Sequence, residues 1–342
     1  MTDATSLLRL AIVGCGAISR MHLNAVEANR DRVRITAAVD LSRERAEAVA
    51  AETGAVAYGS LDEALAAGGF DAVAILLPPA HHERAACAAL AAGKHVLLEK
   101  PMALDLDACE RILTAARVAS RVLMVAENAQ YWPEVVTAKR LIDEGAIGEV
   151  LTARASSFAT LMIAASFYEG ENPWRFQKGS AGGGVALDIG SHWIRPLRMF
   201  MGEIDEVVAI LDRPLAQMEG ESLARALLRF RSGRSASFEV MLLDGMLGMD
   251  AFFRVVGTRG EIVIDTDMGG RVQLFNDQHF GESVGGDGLG YMESYAPQLR
   301  DFAAACLDGT PLAAGPEMAI GELRAALAMY RSAESRRWEK VW

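Results

Sequence analysis

The sequence predicts an α/β protein of two domains, and three observations support this fold class. The chain has 342 residues, which is longer than a typical single domain. Residues 1–126 alternate short apolar runs with alanine-rich amphipathic segments, a pattern typical of a parallel sheet flanked by helices. After Val150, apolar runs follow one another without helical segments between them, which indicates a mostly antiparallel sheet. We therefore expect a parallel α/β domain over 1–126 and an α+β domain over 127–342.

The individual elements are predicted from apolar runs that are bounded by polar or turn-forming residues. The strands predicted in the first domain are Leu8–Val13, Ile35–Val39, Ala72–Leu77, His95–Leu98 and Val122–Ala126. The strands predicted in the second domain are Val150–Ser157, Val207–Leu211, Ala226–Phe230, Ala236–Met241, Phe252–Val256 and Glu261–Ile264. Two helices are predicted to close the chain, Glu293–Leu307 and Pro316–Glu334.

Composition and charge exclude several classes of protein. Hydrophobic residues make up 51% of the chain and charged residues 23%, which is too apolar for a disordered protein. The formal net charge of -11 opposes binding to a polyanion, so we expect neither nucleic acid nor a membrane surface as a partner. The first residues lack a basic segment followed by an apolar run, and no apolar stretch approaches the thickness of a bilayer. We therefore expect a cytoplasmic protein.

The cysteine and histidine residues show no pattern typical of a disulfide framework or a metal site. The six histidines form neither HExxH nor another paired-ligand spacing, so no metal is expected. The four cysteines lie far apart, and we expect all of them to be reduced: Cys15, Cys87, Cys109 and Cys306.

A glycine-rich turn follows the first predicted strand. Residues 14–19, GCGAIS, match GxGxxG with the last glycine replaced by Ser19. In such a turn, Gly14 allows the chain to reverse and Gly16 lets the amides of Ala17 and Ile18 approach a pyrophosphate. A glycine pair after a strand often serves backbone geometry alone. Here a second strand ends in Asp40, where a carboxylate can accept hydrogen bonds from the adenosine ribose, so the sequence predicts a Rossmann dinucleotide-binding domain.

Asp40 also bears on which dinucleotide binds. A carboxylate that faces a 2'-phosphate at ~4 Å would oppose it by a few kcal/mol at an effective dielectric constant near 20, which favours NAD. Arg43 would offset this repulsion if it pairs with the phosphate, and NADP therefore stays an alternative. Arg43 can equally lie over the adenine or be a solvated charge at the start of a helix.

Two further stretches identify a family. Residues 77–82, LPPAHH, and residues 92–101, AGKHVLLEKP, resemble the TPxxxH and AGKHVxxEKP segments of the Gfo/Idh/MocA oxidoreductases, which include glucose-fructose oxidoreductase and inositol dehydrogenase. The resemblance continues through Asn128–Pro133, Leu141–Gly148 and Gly182–His192, and ends with the pattern Tyr295, Leu299 and Phe302. It spans most of the chain.

The resemblance implies properties that composition and periodicity do not. It implies a large open antiparallel sheet in the second domain, through which the protein would form a homodimer or homotetramer. It also implies that the cofactor lies near Pro78, His82, Glu99 and Lys100. Three positions depart from the family pattern: Leu77 replaces a threonine, Gln130 an arginine and Arg195 an aspartate. We expect the last two to concern the identity of the substrate.

Three residues are candidates for catalysis. Oxidation of a secondary alcohol needs a base for the hydroxyl proton and control of charge at the oxygen, and His192 suits the first role at neutral pH. Asp188 lies four residues earlier, so on a helix it would share a face with His192 and orient the ring. Lys100 follows a parallel strand at its C-terminal end, where ligands of such sheets bind, and can stabilise an alkoxide or relay a proton. Alternatively, Lys100 is solvated, His192 packs or caps, and Asp188 is a helix N-cap.

Substrate contacts are expected from Tyr131, Trp174 and Arg175, because aromatic faces beside polar groups suit sugar rings, although Trp174 could equally belong to the core. Arg195 would either pair with an internal acid or bind a substrate carboxylate or phosphate.

The predicted function is an NAD(P)-dependent oxidoreductase that acts on a secondary hydroxyl of a sugar, polyol, cyclitol or related cyclic alcohol. Two rival functions are a glycosidase that oxidises its substrate transiently with bound NAD, and a catalytically silent dinucleotide-binding regulatory protein.

Overall fold

The computed structural model describes residues 7–161, 167, 173–245, 250–266, 270–285 and 290–342. These residues form two compact units. The first comprises Met1–Ala126 with Tyr295–Ile320, and the second comprises Glu127–Ser294 with Gly321–Trp342. The sequence predicted one domain over all of 127–342, whereas the contacts of Tyr295–Ile320 place this segment in the first compact unit.

The first unit contains a six-stranded parallel sheet in the order β3-β2-β1-β4-β5-β6. Its strands are β1 (Leu8–Val13), β2 (Val33–Val39), β3 (Val56–Tyr58), β4 (Ala72–Ile75), β5 (His95–Glu99) and β6 (Leu123–Ala126). The helices that alternate with them are α1 (Ser19–Ala28), α2 (Arg43–Thr53), α3 (Leu61–Ala67), α4 (His82–Ala91) and α5 (Leu106–Ala119). Strands β1, β4, β5 and β6 are mostly apolar and almost wholly buried, as expected for strands covered on both faces. The predicted parallel α/β fold is confirmed.

A helix from the end of the chain completes the first unit. Helix α10 (Tyr295–Asp308) packs on α1, where the Tyr295 ring lies edge-on to the His22 ring with centroids 5.2 Å apart. Asn29, just after α1, donates from Nδ2 to the carbonyl of Ala296 at 2.9 Å and accepts from Arg300 Nε at 2.9 Å. These polar contacts explain why the segment belongs to this unit, although it lies far away in sequence.

The second unit contains a nine-stranded sheet in the order β14-β13-β12-β11-β7-β10-β9-β8-β15. Its strands are β7 (Val150–Thr160), β8 (Ile204–Asp212), β9 (Leu223–Phe230), β10 (Ser235–Leu243), β11 (Asp250–Gly257), β12 (Glu261–Asp265), β13 (Arg271–Phe275), β14 (Phe280–Ser283) and β15 (Glu339–Lys340). Its helices are α6 (Pro133–Asp143), α7 (Lys178–Ala181), α8 (Ser191–Met201) and α9 (Gly290–Glu293), with most of α11 (Met318–Ser335). All strand pairs are antiparallel except β7 with β10, so the predicted mostly antiparallel sheet is confirmed.

One face of this sheet is buried and the other is open. Along β9 and β10, buried residues such as Ala226, Leu228 and Phe238 alternate with more exposed ones, which is the two-residue period of a strand with one covered face. Side chains of α8 such as Ile194 and Leu197 join the same apolar core. Within the described ranges, no helix is both long enough and apolar enough to cross a membrane.

Candidate active site

The glycine-rich turn between β1 and α1 requires glycine at its first position. Gly14 has φ +98°, and a side chain there would place its Cβ 2.6 Å from the carbonyl oxygen of Leu76. At Gly16 an added Cβ would meet nothing within 4 Å, so this side of the turn is open. Among the described residues, the amides of Ala17 and Ile18 donate to no acceptor. Free amides at a helix N-terminus, beside an open glycine, fit the pyrophosphate of a dinucleotide.

Asp40 follows β2 and faces this turn. Its Oδ2 accepts a hydrogen bond from the Cys15 amide at 2.8 Å, and its Oδ1 accepts one from the Ser42 amide at 2.8 Å. An ionised carboxylate has further lone pairs, so Asp40 can also accept hydrogen bonds from ribose hydroxyls. Burial raises the pKa of the Cys15 thiol to about 12, and the Asp40 carboxylate adds to this increase. The predicted cofactor residues of the turn and Asp40 therefore fit NAD.

Arg43 is a solvated charge at the start of α2. Its side chain is 89% exposed and its Nε lies 2.7 Å from Glu47 Oε1.

Two turns at the C-terminal ends of β4 and β5 are joined by His82. Its ring is fully buried, with Nδ1 2.8 Å from the carbonyl oxygen of Pro101 and Nε2 2.8 Å from that of Leu77. Burial lowers the pKa of His82, which opposes the effect of the two carbonyls and of Glu99. The loss of the threonine hydroxyl at Leu77 leaves this bridge intact, because the bridge uses the backbone carbonyl. His82 and Pro78 thus shape the turns and hold them together.

Lys100 is fixed through its backbone by Glu99. Glu99 Oε2 accepts a hydrogen bond from the Lys100 amide at 3.0 Å, and Glu99 Oε1 lies 2.9 Å from Nε2 of His22. Glu99 is buried, whereas Lys100 is partly exposed at the end of β5. The sequence predicted this strand-end position for Lys100. Lys100 belongs to the first unit, whereas the other two catalytic candidates, Asp188 and His192, belong to the second.

His192 is paired with Glu127 in the second unit. The Nδ1 atom of His192 and Oε1 of Glu127 form a close, buried contact. The sequence expected Asp188 to orient the ring, whereas in the structure Glu127 is the carboxylate that contacts it. The reason is local geometry: Asp188 lies in a turn, and helix α8 begins only at Ser191, so the two side chains do not share a helical face.

Aromatic rings surround His192. The Tyr291 ring lies edge-on at 5.8 Å between centroids, and the Trp132 ring lies at 6.1 Å. With the residues that the structure describes, the Nε2 atom of His192 makes no hydrogen bond. His192 is 8% exposed, so its ring is confined but not fully sealed. Such a histidine has one nitrogen bound and one available for proton exchange.

Asp188 is paired with Arg175 instead. Oδ2 of Asp188 lies 3.3 Å from Arg175 Nε, and the Arg175 guanidinium stacks on Trp174 at 4.3 Å. Asp188 is not an N-cap either, because Gly190 holds that position in α8. Trp174 is partly exposed, as is Tyr131 at the end of the short 3₁₀ turn Asn128–Tyr131. The structure therefore brings Arg175, Trp174 and Asp188 together as one cluster.

Arg195 is an internal ion-pair residue. It is 2% exposed, and Nε and Nη2 each lie 2.9 Å from a carboxylate oxygen of Glu322. Its Nη1 lies 3.3 Å from Gln130 Oε1, so the two positions that depart from the family pattern contact each other. Of the two roles that the sequence left open for Arg195, the structure shows the internal ion pair, which occupies two of the guanidinium nitrogens.

Glu127 is the functional candidate that the sequence reasoning missed. It immediately follows the predicted strand Val122–Ala126, where an acid at the C-terminal end of a parallel strand is a general signal for a ligand site. The neighbouring stretch from Asn128 was used only as evidence for the family. Sequence alone did not indicate which carboxylate would reach His192, because Glu127 and His192 are 65 residues apart.

Comparisons with known proteins agree with the geometry. Residues 8–127 match the oxidoreductase family with an NAD-binding Rossmann fold, and residues 135–263 match the GFO/IDH/MocA C-terminal domain. An uncharacterized oxidoreductase of Rhizobium meliloti is 30% identical, with 98% of this chain and 99% of the relative covered. Inositol 2-dehydrogenase of Rhizobium meliloti strain 1021 is 27% identical, with 96% of this chain and 98% of the relative covered.

A solved structure is also similar. Levoglucosan dehydrogenase in complex with NADH and levoglucosan has a TM-score of 0.88 and 25% sequence identity, with 98% of this chain and 100% of that chain covered. The family matches extend over both units and include the glycine-rich turn, Asp40, Lys100 and His192. The chain is a member of the Gfo/Idh/MocA family of oxidoreductases and carries that family's NAD-binding Rossmann domain.

Proposed function

We propose that the protein is an NAD-dependent dehydrogenase or reductase that interconverts a secondary hydroxyl group and a ketone. The proposed substrate is a sugar, a polyol, a cyclitol or a related cyclic alcohol. The observation that carries the proposal is the buried pair of His192 and Glu127, which leaves one imidazole nitrogen available beside aromatic rings. Relatives named inositol 2-dehydrogenase and levoglucosan dehydrogenase support the substrate class.

The protein residues control the proton and the charge on the substrate oxygen. NAD, when bound, supplies the hydride acceptor. His192 takes the hydroxyl proton at Nε2 during oxidation and returns it during reduction. Lys100 stabilises negative charge on the oxygen with its ammonium group or relays the proton. Asp188 holds Arg175 in place, and Tyr131, Trp174 and Arg175 are the proposed substrate contacts.

The choice of NAD over NADP rests on Asp40. Its carboxylate oxygens face the glycine-rich turn, and Arg43, which would have to neutralise a 2'-phosphate, lies in solvent beside Glu47. A carboxylate at this position opposes an additional phosphate. NADP would require Arg43 to leave Glu47.

Assembly through the open face of the nine-stranded sheet is part of the same proposal. On this face Ile210 and Leu227 are exposed on the neighbouring strands β8 and β9, near the cross-strand ion pairs Arg225–Glu239 and Arg229–Glu206. Exposed apolar residues rimmed by charges are typical of a surface that packs against a second copy. We propose a homodimer or homotetramer.

The proposal is tested by turnover of single variants. A screen of sugars, polyols, cyclitols and their keto or acid derivatives, followed by nicotinamide absorbance, first identifies a substrate. We expect His192→Ala and Lys100→Ala each to lower turnover at least about a hundredfold, because each removes a group positioned for proton or charge transfer. Cofactor affinity, measured by fluorescence titration, should stay nearly unchanged.

The matched control is His279→Ala, since the His279 side chain is 40% exposed and lies in the turn before β14. It should keep the turnover of the wild type. Near-normal turnover in His192→Ala or Lys100→Ala would remove that residue from the proposed mechanism.

A further inference from the structure

Glu127 is almost entirely removed from solvent, yet it carries a carboxylate. It is 1% exposed, compared with 8% for His192. Its Oε1 accepts a hydrogen bond from the Ala129 amide at 3.1 Å and makes the contact with His192 Nδ1. The acceptor oxygen is therefore anchored to the 3₁₀ turn Asn128–Tyr131 on one side and to the imidazole on the other. A buried carboxylate held in this way needs a donor, and His192 provides one.

We propose that Glu127 is a positioning residue that keeps the proton of neutral His192 on Nδ1 and leaves Nε2 as the nitrogen that exchanges the substrate proton. The inference rests on the proposed role of His192 as the acid and base. Glu127 does not touch the substrate in this proposal and acts only through the imidazole.

The tautomer follows from the donors and acceptors present. A neutral imidazole has one N–H donor and one acceptor nitrogen, whereas an ionised carboxylate can only accept. Because Nδ1 faces Glu127 Oε1, the N–H must be on Nδ1 for the contact to be a hydrogen bond. The lone pair then lies on Nε2, which makes no hydrogen bond with any described residue. His192 is thereby prepared as a base at Nε2.

Glu127 also balances charge during the reaction. When Nε2 takes the hydroxyl proton, the ring becomes an imidazolium and Nδ1 keeps its proton. The adjacent carboxylate stabilises this cation strongly, because little water lies between two groups that are both largely buried. In the reverse direction, Nε2 gives the proton back to the substrate oxygen, and the Nδ1–H bond to Glu127 is unchanged throughout. No proton leaves Nδ1 in either direction.

The aromatic neighbours limit other ring orientations. Trp132 and Tyr291 lie 6.1 Å and 5.8 Å from the His192 ring between centroids, and they approach at interplanar angles of 37° and 84°. A flipped ring would place a carbon atom against Glu127 Oε1 and remove its hydrogen bond with the imidazole, which is costly for a buried carboxylate. Orientation, tautomer and charge therefore all depend on Glu127.

The test measures the tautomer directly in the resting protein. Nitrogen-15 NMR of histidine-labelled protein reports which ring nitrogen carries the proton, and His192→Asn assigns the signal. We expect the Nδ1–H form in the wild type and in Glu127→Gln, because the glutamine carbonyl can still accept from both Ala129 and His192. Glu127→Ala should convert His192 to the Nε2–H form or to a mixture.

Steady-state kinetics distinguish a role of Glu127 in positioning His192 from a role in folding alone. Glu127→Ala should lower kcat by about 10- to 100-fold with little change in KM, as is typical when a partner that orients a functional histidine is removed. Glu127→Gln should have the tautomer of the wild type and a kcat between those of Glu127→Ala and the wild type, because the amide cannot balance the imidazolium charge. If the alanine variant does not fold, the glutamine variant still tests the proposal, and wild-type kcat in it would contradict the charge-balancing role.

Asp188→Asn is the comparison variant, because Asp188 was the carboxylate expected from sequence to orient the ring. It should leave the His192 nitrogen signals unchanged. An unchanged tautomer in Glu127→Ala, or a changed one in Asp188→Asn, would overturn the inference. The NMR spectrum is recorded on resting protein and needs no turnover, so it tests the role of Glu127 alone. Normal activity in His192→Ala would instead contradict the proposed function.

Discussion

Glu134 is a buried carboxyl group that the proposed chemistry does not use. It lies in the first turn of α6 and is 0% exposed, and neither of its carboxylate oxygens has a hydrogen-bond partner among the residues described. The backbone of Gly290 packs directly on it, since a Cβ at Gly290 would lie 2.1 Å from Glu134 Oε1. Burial raises the pKa of Glu134 to about 7, and the charge of Glu293 adds to this increase.

The raised pKa predicts a specific dependence of stability on pH. Between its usual pKa of 4.5 and about 7, the folded protein keeps the Glu134 proton while the unfolded chain loses it. The free energy of unfolding should therefore fall as the pH rises through this window, by at most about 3 kcal/mol. Glu134→Gln cannot ionise and should lack this fall. Urea denaturation of both proteins from about pH 5 to about pH 8 measures the difference.

Glu144→Gln is the control, because Glu144 lies at the other end of the same helix with its side chain 54% exposed. The difference in the free energy of unfolding between Glu144→Gln and the wild type should stay nearly constant over this pH range. If the free energies of unfolding of the wild type and Glu134→Gln differ by the same amount at every pH measured, the assignment of a neutral, buried Glu134 is contradicted.

At the scale of elements, α8 combines a site residue with a buried ion-pair network. It is continuous through Pro196 and carries His192 in its first turn, followed by Arg195 and Arg198, both buried. Both arginines contact Glu322 of α11. The preceding residue of α11 must be small, because a Cβ at Gly321 would lie 2.3 Å from the Arg198 guanidinium. The network thus fixes α8, and with it His192, against α11.

Arg195→Met tests whether this residue is structural or binds substrate. Removing one member of a buried ion pair leaves a charge with less compensation, so we expect a loss of about 3 kcal/mol in the free energy of unfolding. Any loss of catalytic efficiency should be the same on the best neutral and the best acidic substrate. Arg140→Met, which breaks the exposed pair with Glu144, should cost less than about 1 kcal/mol.

The opposite pattern would restore Arg195 as a substrate residue. That pattern is unchanged stability together with a loss of several kcal/mol on the acidic substrate alone, as expected for a lost anion contact. Denaturation and steady-state kinetics on the same preparation distinguish the two.

The elements that were predictable from sequence are those with long apolar runs. Strands β1 and β5 begin where they were predicted, because wholly buried parallel strands are almost continuously apolar. Strand β3, Val56–Tyr58, was missed because it has three residues and none of them is fully buried. Strands β13, β14 and β15 were missed for a related reason: they are short, and β14 and β15 are largely exposed at the ends of the sheet.

At the scale of the whole molecule, candidate residues were easier to predict from the sequence than the contacts between them. Gly14, Asp40, Lys100 and His192 were predicted because each has a fixed relation to a strand end or a family motif. Glu127 as the partner of His192, and Glu322 as the partner of Arg195, were not found, because these pairs join residues 65 and 127 positions apart. Local periodicity contains no information on such pairs.

The division into units also depends on contacts between residues that are distant in sequence. Tyr295–Ile320 returns to the first unit through contacts of α10 with α1, and Arg300 pairs with Asp31 at 3.0 Å. The period of a helix predicts the helix itself, but its amphipathic face does not identify the element on which it packs.

In the proposed reaction, a hydride passes from the carbinol carbon of the substrate to the nicotinamide and remains there at the end of turnover. The measurement uses wild-type protein, NAD and the best substrate of the screen, labelled with deuterium at that carbon. Mass spectrometry of the reduced cofactor should show one deuterium for each ketone formed, accompanied by a stoichiometric rise in nicotinamide absorbance. Cleavage of a glycosidic bond with no net reduction of the cofactor would contradict the account and identify the protein as a glycosidase that uses NAD transiently.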